Sequence, residues 1–140
     1  MIESLPEQGG APAPPQATEP LVLVVDDEVP FAKRLGIEFV EAGFRAEAVH
    51  NGADALAYAA RERPDLVVLD VRMPGMDGLE CLHRLRAAPF GRTTPVILLT
   101  GDVTPRVDAA ALLHEGCLVV SKPCSYRTVI RIATRLLATV

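Results

Sequence analysis

The sequence predicts an α/β protein built on a five-stranded parallel sheet, doubly wound, with helices on both faces. Short aliphatic runs recur along the chain, and segments with helical apolar spacing separate them. Several of these runs stop abruptly at a charged or hydroxyl residue. Parallel strands buried on both faces are continuous aliphatic runs, and right-handed crossovers place helices on both sides of the sheet. The alternation of the two kinds of segment therefore predicts the fold.

Five segments are predicted to be strands because they are short, aliphatic and rich in β-branched residues. The second is less hydrophobic than the others and is assigned from its moderate β-propensity and the turn signal at Asn51-Gly52 that follows it. The predicted strands cover residues 21–25, 45–49, 66–70, 96–99 and 118–120.

Helices are predicted over residues 29–42, 53–61, 79–87, 105–115 and 125–138. In the first, Pro30 suits the first turn, and apolar residues that recur every four positions form an inward stripe of Phe31, Leu35 and Phe39. Ser125 is predicted to cap the last helix. Two acids are given local structural roles: Asp77 supports a turn, and Asp102 begins the fourth helix.

Bulk composition excludes several classes of protein. A chain of 140 residues with 49% hydrophobic and 23% charged residues is typical of one soluble domain. The net charge of −4 and the lack of a basic run argue against nucleic acid binding. No apolar stretch approaches the roughly 20 residues of a membrane helix, and no signal peptide is evident.

Cysteine and histidine spacing indicates neither a disulfide framework nor a zinc site. The three cysteines are Cys81, Cys117 and Cys124, an odd number without CxxC spacing. The three histidines, His50, His83 and His114, share no ligand spacing and are interpreted as ordinary surface or packing residues. A reducing cytoplasm is the expected location.

Residues 1–20 differ in composition from the rest of the chain. They contain five of the twelve prolines, two adjacent glycines and few residues that could pack. This composition predicts a disordered Pro/Ala-rich tail or linker, so that the folded domain covers residues 21–140.

The ends of the predicted strands bring unlike functional groups to one edge of the sheet. Because parallel strands end at the same edge, that edge collects three acids, one hydroxyl and one amine. They are Asp26, Asp27, Asp70, Thr100 and Lys122. Glu28, which follows the first pair of acids, is interpreted as a first-turn helix acid rather than as a ligand.

This set of groups points to phosphoryl transfer onto a carboxylate. Crowded carboxylates repel one another and either take up protons or bind a cation, and Mg²⁺ prefers such hard oxygen ligands. Lys122 supplies a positive charge, and Thr100 supplies a hydroxyl that can donate a hydrogen bond to a phosphoryl oxygen. Asp70, at the end of a buried strand and followed by Pro74 and Gly75, is the candidate nucleophile.

With these residues identified, the chain from residue 21 to residue 140 resembles the receiver domain of bacterial two-component response regulators. The resemblance is carried by VVDDE at 24–28, LDVRMPGMDG at 69–78, LLTG at 98–101 and KP at 122–123. It implies a flavodoxin-like receiver topology. It also implies that Asp70 accepts a phosphoryl group from a histidine of a sensor kinase or phosphotransfer protein.

The resemblance further assigns the surrounding residues. It implies that Mg²⁺ is bound by Asp27, Asp70 and the backbone carbonyl of Arg72, and that Asp26 helps directly or through water. Thr100 and Lys122 would contact the phosphoryl oxygens, with Thr100 moving inward when the group arrives. The peptide bond between Lys122 and its proline is usually cis in this family.

Two departures from the family pattern affect the expected switching. The family usually has Tyr or Phe three residues before the lysine, where this chain has Val119, and the segment from 116 to 122 is about one residue short. Tyr126 lies beyond the proline and cannot occupy that place in the strand. Phosphorylation should survive these changes, whereas the usual aromatic switch should not. Arg72 and Asp102 lie where the family varies residues that tune hydrolysis of the phosphoryl group.

Several alternatives remain open at this point. An FMN-binding flavodoxin-like carrier shares the topology but needs a phosphate-cradling loop where this chain has carboxylates. A haloacid-dehalogenase-type phosphatase needs a second Asp where this chain has Arg72. The expected protein is a signalling domain that only phosphorylates and dephosphorylates itself and acts by protein contact on an unidentified output partner. It is either a single-domain regulator or a module of a hybrid histidine kinase or larger regulator, and a homodimer is left open.

Overall fold

The computed structural model describes residues 19–113 and 116–138. The predicted tail therefore lies outside the described residues except for Glu19 and Pro20, and His114 also lies outside them. The elements in chain order are β1 (Leu21–Val25), α1 (Val29–Glu41), β2 (Arg45–Val49), α2 (Gly52–Glu62), β3 (Leu66–Asp70), α3 (Gly78–Ala87), β4 (Val96–Thr100), α4 (Pro105–Leu113), β5 (Cys117–Ser121) and α5 (Tyr126–Ala138).

The five strands form one parallel sheet in the order β2-β1-β3-β4-β5. β1, β3 and β4 are buried at every position, as expected for continuous aliphatic strands covered on both faces. The strand order reverses between β1 and β3, and the carboxyl ends of strands beside such a reversal form a crevice where ligands bind.

Two apolar layers cover the sheet, which confirms the doubly wound prediction. On one face α1 and α5 pack against the sheet, and the predicted stripe residues Leu35 and Phe39 are fully buried there. On the other face lie α2, α3 and α4, represented by Ala59, Leu82 and Val107. None of the described helices is long and apolar enough to cross a membrane.

Local capping explains where several elements begin. The side chain of Asn51 accepts a hydrogen bond from the backbone of Asp54, so α2 begins at the glycine after it, one residue earlier than predicted. Ser125 Oγ accepts from the backbone N–H of Thr128 at 3.1 Å, which confirms the predicted cap of α5. Asp77 caps α3 by accepting from the N–H of Glu80 at 2.9 Å.

The prediction that Asp102 begins the fourth helix is wrong. The helix begins at Pro105, and the hydroxyl of Thr104 accepts from the N–H of Val107 at 3.3 Å. Asp102 instead lies in the loop after β4, where its carboxylate binds Arg72. β5 is also longer than predicted, because its pairing with β4 continues through both flanking residues.

The strands and helices run in opposite directions through the molecule. The chain enters at the amino-terminal edge of the sheet, where the carbonyls of Glu19 and Pro20 both accept hydrogen bonds from Arg45. α5 leaves the carboxyl edge at Tyr126 and returns over about 20 Å to Ala138. Both ends of the folded domain therefore lie away from the edge where the strands end.

Candidate functional site

Three acids meet where β1 and β3 end. Asp26 and Asp27 follow β1, Asp70 closes β3, and the two strands are neighbours at the reversal of strand order. One carboxylate oxygen from each acid lies within 4.8 Å of the others. The structure thus brings together the acids that the sequence placed at one edge.

Lys122, the residue after β5, joins this group. Its Nζ lies 3.1 Å from Asp70 Oδ1 and 3.1 Å from Asp26 Oδ2, with Glu28 Oε1 at 3.8 Å. Its side chain is only 21% exposed, so these contacts are partly shielded from water. The backbone N–H of Lys122 donates to the carbonyl of Thr100 at 2.7 Å, and the peptide bond to Pro123 is cis, as the resemblance implies.

Asp26 and Asp27 lie in different environments. Asp26 is buried, and each of its oxygens is engaged: Oδ1 accepts from the N–H of Glu28 at 2.9 Å, and Oδ2 accepts from Lys122. Asp27 is exposed, and no hydrogen bond or ion pair engages its carboxylate within the described part of the chain. Asp26 therefore holds Lys122 in place, while Asp27 is open to an incoming ligand.

Burial sets the charge behaviour of the central pair. Burial raises the pKa of Asp70 to about 6, although the hydrogen bond from Lys122 opposes this rise, and the Asp26 charge adds to it. For Lys122 burial lowers the pKa, but hydrogen bonds and charges from Asp70 and Asp26 outweigh burial and raise the pKa overall. The lysine is therefore a fixed cation beside a carboxylate that ionises at neutral pH yet holds its proton more readily than a surface acid.

The hydroxyl of Thr100 lies at the same edge but is bonded within its own loop. Thr100 is 1% exposed, and its Oγ1 donates to the carbonyl of Asp102 at 2.9 Å and accepts from the N–H of Asp102 at 3.1 Å. Arg72 and Asp102 form an ion pair of 3.1 Å between the loops after β3 and β4. Both side chains are largely exposed, so this pair contributes little to stability.

Two contacts of the site were not predicted from the sequence. His50 Nδ1–H donates to the backbone carbonyl of Asp26 at 3.0 Å, so this histidine supports the loop after β1. The centroid of the Phe31 ring lies 4.9 Å from Lys122 Nζ and 5.6 Å from the centroid of the Tyr126 ring. Both contacts join distant segments, and one of them involves a backbone atom, so residue spacing carries no signal for either.

The departure at Val119 is visible in the structure. This residue packs against the α2, α3 and α4 layer, on the face of the sheet opposite α5. β5 has no aromatic residue, and the aromatic ring that contacts Lys122 comes from α1 instead.

These groups surround an open cleft of about 600 Å³ at the carboxyl edge. Three carboxylates and one ammonium leave two negative charges uncompensated, which suits a divalent cation with oxygen ligands. The same charge repels a free phosphate unless a cation is present, which argues against the flavin-carrier alternative. The cleft is lined by Asp27, Glu28, Asp70, Arg72, Gly101, Asp102 and Lys122.

A family model described as the response regulator receiver domain matches residues 22–134 of this chain. Among curated proteins, the probable transcriptional regulatory protein TcrX of Mycobacterium tuberculosis is 40% identical over 109 residues, which cover 78% of this chain and 46% of that protein. The chain thus spans less than half the length of this relative.

Solved structures share the fold over almost their whole length. The chemotaxis protein CheY4 of Vibrio cholerae has a TM-score of 0.79 at 27% identity, with 85% of this chain and 99% of that chain covered. The receiver domain of sensor histidine kinase PA1611 from Pseudomonas aeruginosa has a TM-score of 0.73 at 26% identity, covering 86% of this chain and 99% of that one. That structure holds a magnesium ion coordinated in its active site cleft. These likenesses confirm the predicted flavodoxin-like receiver fold.

Proposed function

Because the chain belongs to the response regulator receiver domain family, we propose that it accepts a phosphoryl group on Asp70 from a histidine of a sensor kinase or phosphotransfer protein. The observation that carries this proposal is the position of Asp70. It lies at the end of a buried strand, 3.1 Å from a lysine ammonium and within a cluster of three acids. Few structural roles require a carboxylate in such a costly environment.

The transfer step makes one bond and breaks one bond. A carboxylate oxygen of Asp70 attacks the phosphorus of the phosphohistidine, so that a P–O bond forms while the P–N bond to the imidazole breaks. The released imidazole takes its proton from water. The product is an acyl phosphate. Water later attacks this acyl phosphate, which regenerates the free carboxylate of Asp70 and releases inorganic phosphate. Because the chemistry needs only in-line positioning and neutralisation of charge, the side chains of the cleft are sufficient protein partners.

We propose Mg²⁺ as the cation at this site. Asp27, Asp70 and the backbone carbonyl of Arg72 would hold it, with Asp26 acting directly or through water. The donor set fits, because the three acids offer oxygens within 4.8 Å of one another, and Asp27 is exposed with no hydrogen bond or ion pair to its carboxylate from residues 19–113 or 116–138. When bound, Mg²⁺ supplies positive charge that neutralises the acids and the phosphoryl oxygens.

Lys122 and Thr100 are proposed to act on the transferred group. Lys122 already bridges two carboxylates, and a phosphoryl oxygen on Asp70 would offer its ammonium a more highly charged partner. The Thr100 hydroxyl is bonded to Asp102 in the resting chain. It would have to exchange that bond for one to the phosphoryl group, which agrees with an inward movement of Thr100.

The biological setting is proposed from the family. We propose that residues 21–140 are the receiver domain, with the preceding residues as a tail or linker, and that the domain works in the cytoplasm as a signalling module rather than as an enzyme with a separate substrate. It would signal by contact with an output partner. A second possibility is that the chain is a module within a hybrid kinase or larger regulator. The match to TcrX covers only 46% of that protein, which is compatible with this possibility.

Labelling with acetyl phosphate tests the proposal. With Mg²⁺ present, we expect the wild-type protein to gain the mass of one phosphoryl group, and we expect Asp70→Asn to gain none. Asp27→Ala should lose the labelling that depends on Mg²⁺, because it removes the open metal ligand. Intact-protein mass spectrometry gives the labelled fraction directly.

Asp108→Asn is the matched control, because this exposed acid of α4 lies outside the cleft and its variant should label like the wild type. Labelling that persists in Asp70→Asn would overturn the assignment of the acceptor. Unchanged labelling in Asp27→Ala would rule out the metal assignment and leave the acceptor in place.

A further inference from the structure

The ammonium of Lys122 has an aromatic neighbour as well as its carboxylate partners. Asp26 and Asp70 each lie 3.1 Å from Nζ, and the Phe31 ring centroid lies 4.9 Å from the same atom. This distance is within the range of a cation–π contact, and the partial burial of Lys122 strengthens such a contact. The ring of Phe31 therefore forms one wall of the space in which the ammonium can move.

Phe31 is itself fixed by a second aromatic ring. Its centroid lies 5.6 Å from that of Tyr126, with 38° between the ring planes. Tyr126 begins α5, and the guanidinium of Arg34, one turn along α1 from Phe31, lies 5.8 Å from the centre of the tyrosine ring. A continuous series of contacts thus leads from Lys122 through two rings to Arg34, at the junction of α1 and α5.

The covalent chain closes this series into a ring of contacts. Only three residues, Pro123 to Ser125, separate Lys122 from Tyr126, so the β5–α5 loop returns to Phe31 at both of its ends. A displacement of Nζ away from the Phe31 ring therefore removes one contact of that ring, while the loop that follows Lys122 leads to the second contact, Tyr126.

We infer that Phe31 is a positioning residue for Lys122, and that with Tyr126 it transmits the phosphorylation of Asp70 to the surface between α1 and α5. This inference rests on the proposed function. Before phosphorylation, the ring limits the ammonium to positions beside Asp70. Afterwards the phosphoryl oxygens attract the ammonium, its contact with the ring weakens, and Phe31 and Tyr126 repack.

The tyrosine content of the chain provides the reporter. The sequence has two tyrosines and no tryptophan, so Tyr58→Phe leaves Tyr126 as the sole tyrosine. Tyr58 belongs to α2 on the opposite face of the sheet and takes no part in the cleft. In this background we expect the NMR ring resonances of Tyr126 to shift with the phosphorylated fraction, which intact mass measures in the same sample containing acetyl phosphate and Mg²⁺.

Phe31→Leu in the same background removes the ring but keeps an apolar side chain. We expect its phosphorylation by acetyl phosphate to slow about threefold to tenfold, because the ammonium is no longer confined, and the Tyr126 resonances should no longer follow the phosphorylated fraction. Phe31→Tyr, tested without the NMR reporter, should restore the rate to within about twofold because it restores the ring face.

Phe90→Leu is the matched control, because this phenylalanine packs in the other apolar layer, and its variant should keep both the rate and the NMR shift. The inference is overturned if Phe31→Leu labels at the wild-type rate and its Tyr126 resonances shift as before. It is equally overturned if the wild type is phosphorylated and the Tyr126 resonances stay unchanged. Absence of phosphoryl mass in the wild type would instead refute the proposed function.

Discussion

A matched pair of glycine substitutions tests how closely the site loop is packed. Gly78 begins α3, directly beneath the end of β3. A Cβ added there would lie 2.2 Å from the backbone carbonyl oxygen of Asp70 and 2.8 Å from Cα of Val71. Both are backbone atoms and cannot rotate away. Gly78→Ala must therefore push the start of α3 away from β3 and strain the hydrogen bond from Gly78 N–H to the Val71 carbonyl.

The cost follows from these contacts. Overpacking of this kind costs about 1–3 kcal/mol, and a weakened hydrogen bond adds about 1 kcal/mol. For a domain of this size, a total loss of about 2–4 kcal/mol lowers the melting temperature by roughly 8–15 °C. The loop that moves also carries the Arg72 carbonyl, so we expect labelling with acetyl phosphate and Mg²⁺ to slow as well.

Gly36→Ala supplies the control of opposite sign. Gly36 lies inside α1, and a Cβ added there meets nothing within 4 Å. Alanine is a better helix former than glycine, so this variant should gain about 0.5–1 kcal/mol. Thermal and urea unfolding followed by circular dichroism measure both variants. If Gly78→Ala unfolds at the wild-type temperature or above, the close approach of α3 to β3 is wrong.

Two further predictions concern groups outside the cleft. Burial favours the protonated form of Asp77, but the hydrogen bonds that its carboxylate accepts from the Glu80 N–H and from Arg106 outweigh burial and lower the pKa of Asp77 below its ordinary 3.8. Asp77→Ala should therefore lower the free energy of unfolding by about 1 kcal/mol at neutral pH. This deficit should shrink as the pH falls below 3.8, because the wild-type carboxylate then becomes protonated. Equal deficits in urea unfolding at pH 7 and pH 3 would contradict this. Burial raises the pKa of Cys81 and Cys117 to about 11, and it also raises the pKa of Cys124, where the Lys122 charge opposes the rise. Because Cys124 is half-buried while the other two thiols are buried, iodoacetamide should modify only Cys124 in the native protein at pH 8, as judged by peptide mass mapping. Modification of either buried thiol at the rate of Cys124 would show that the layer covering it opens.

The sequence was sufficient to predict the sheet and the gathering of the site residues, for a physical reason. Buried parallel strands require aliphatic runs, and the end of each run predicted the end of its strand to within one residue. Because Asp70 and Lys122 follow such runs, the shared direction of the strands brings them to one edge without any knowledge of packing. Strand order and strand length bring the two residues close enough for Lys122 Nζ to lie 3.1 Å from Asp70 Oδ1.

What the sequence could not supply are choices made by side-chain rotamers and backbone atoms. Asp102 and Thr104 both precede Pro105, and either side chain is capable of capping a helix. The conformation of the loop assigns the cap to the threonine. The contact between Phe31 and Lys122 joins residues far apart in the chain, and spacing identified the phenylalanine only as an inward residue of α1. Likewise, the order of residues does not indicate that the Thr100 hydroxyl donates to a carbonyl of its own loop.

The opposed directions of strands and helices have a practical consequence for anything attached to the domain. Leu21 and Ala138 both lie at the pole of the molecule away from the acids. A module joined directly at Leu21 or Ala138 would therefore begin at that far pole, on the side opposite the approach of a phosphoryl donor. A sensor chip that captures the domain through a residue at that pole would leave the cleft facing the solution.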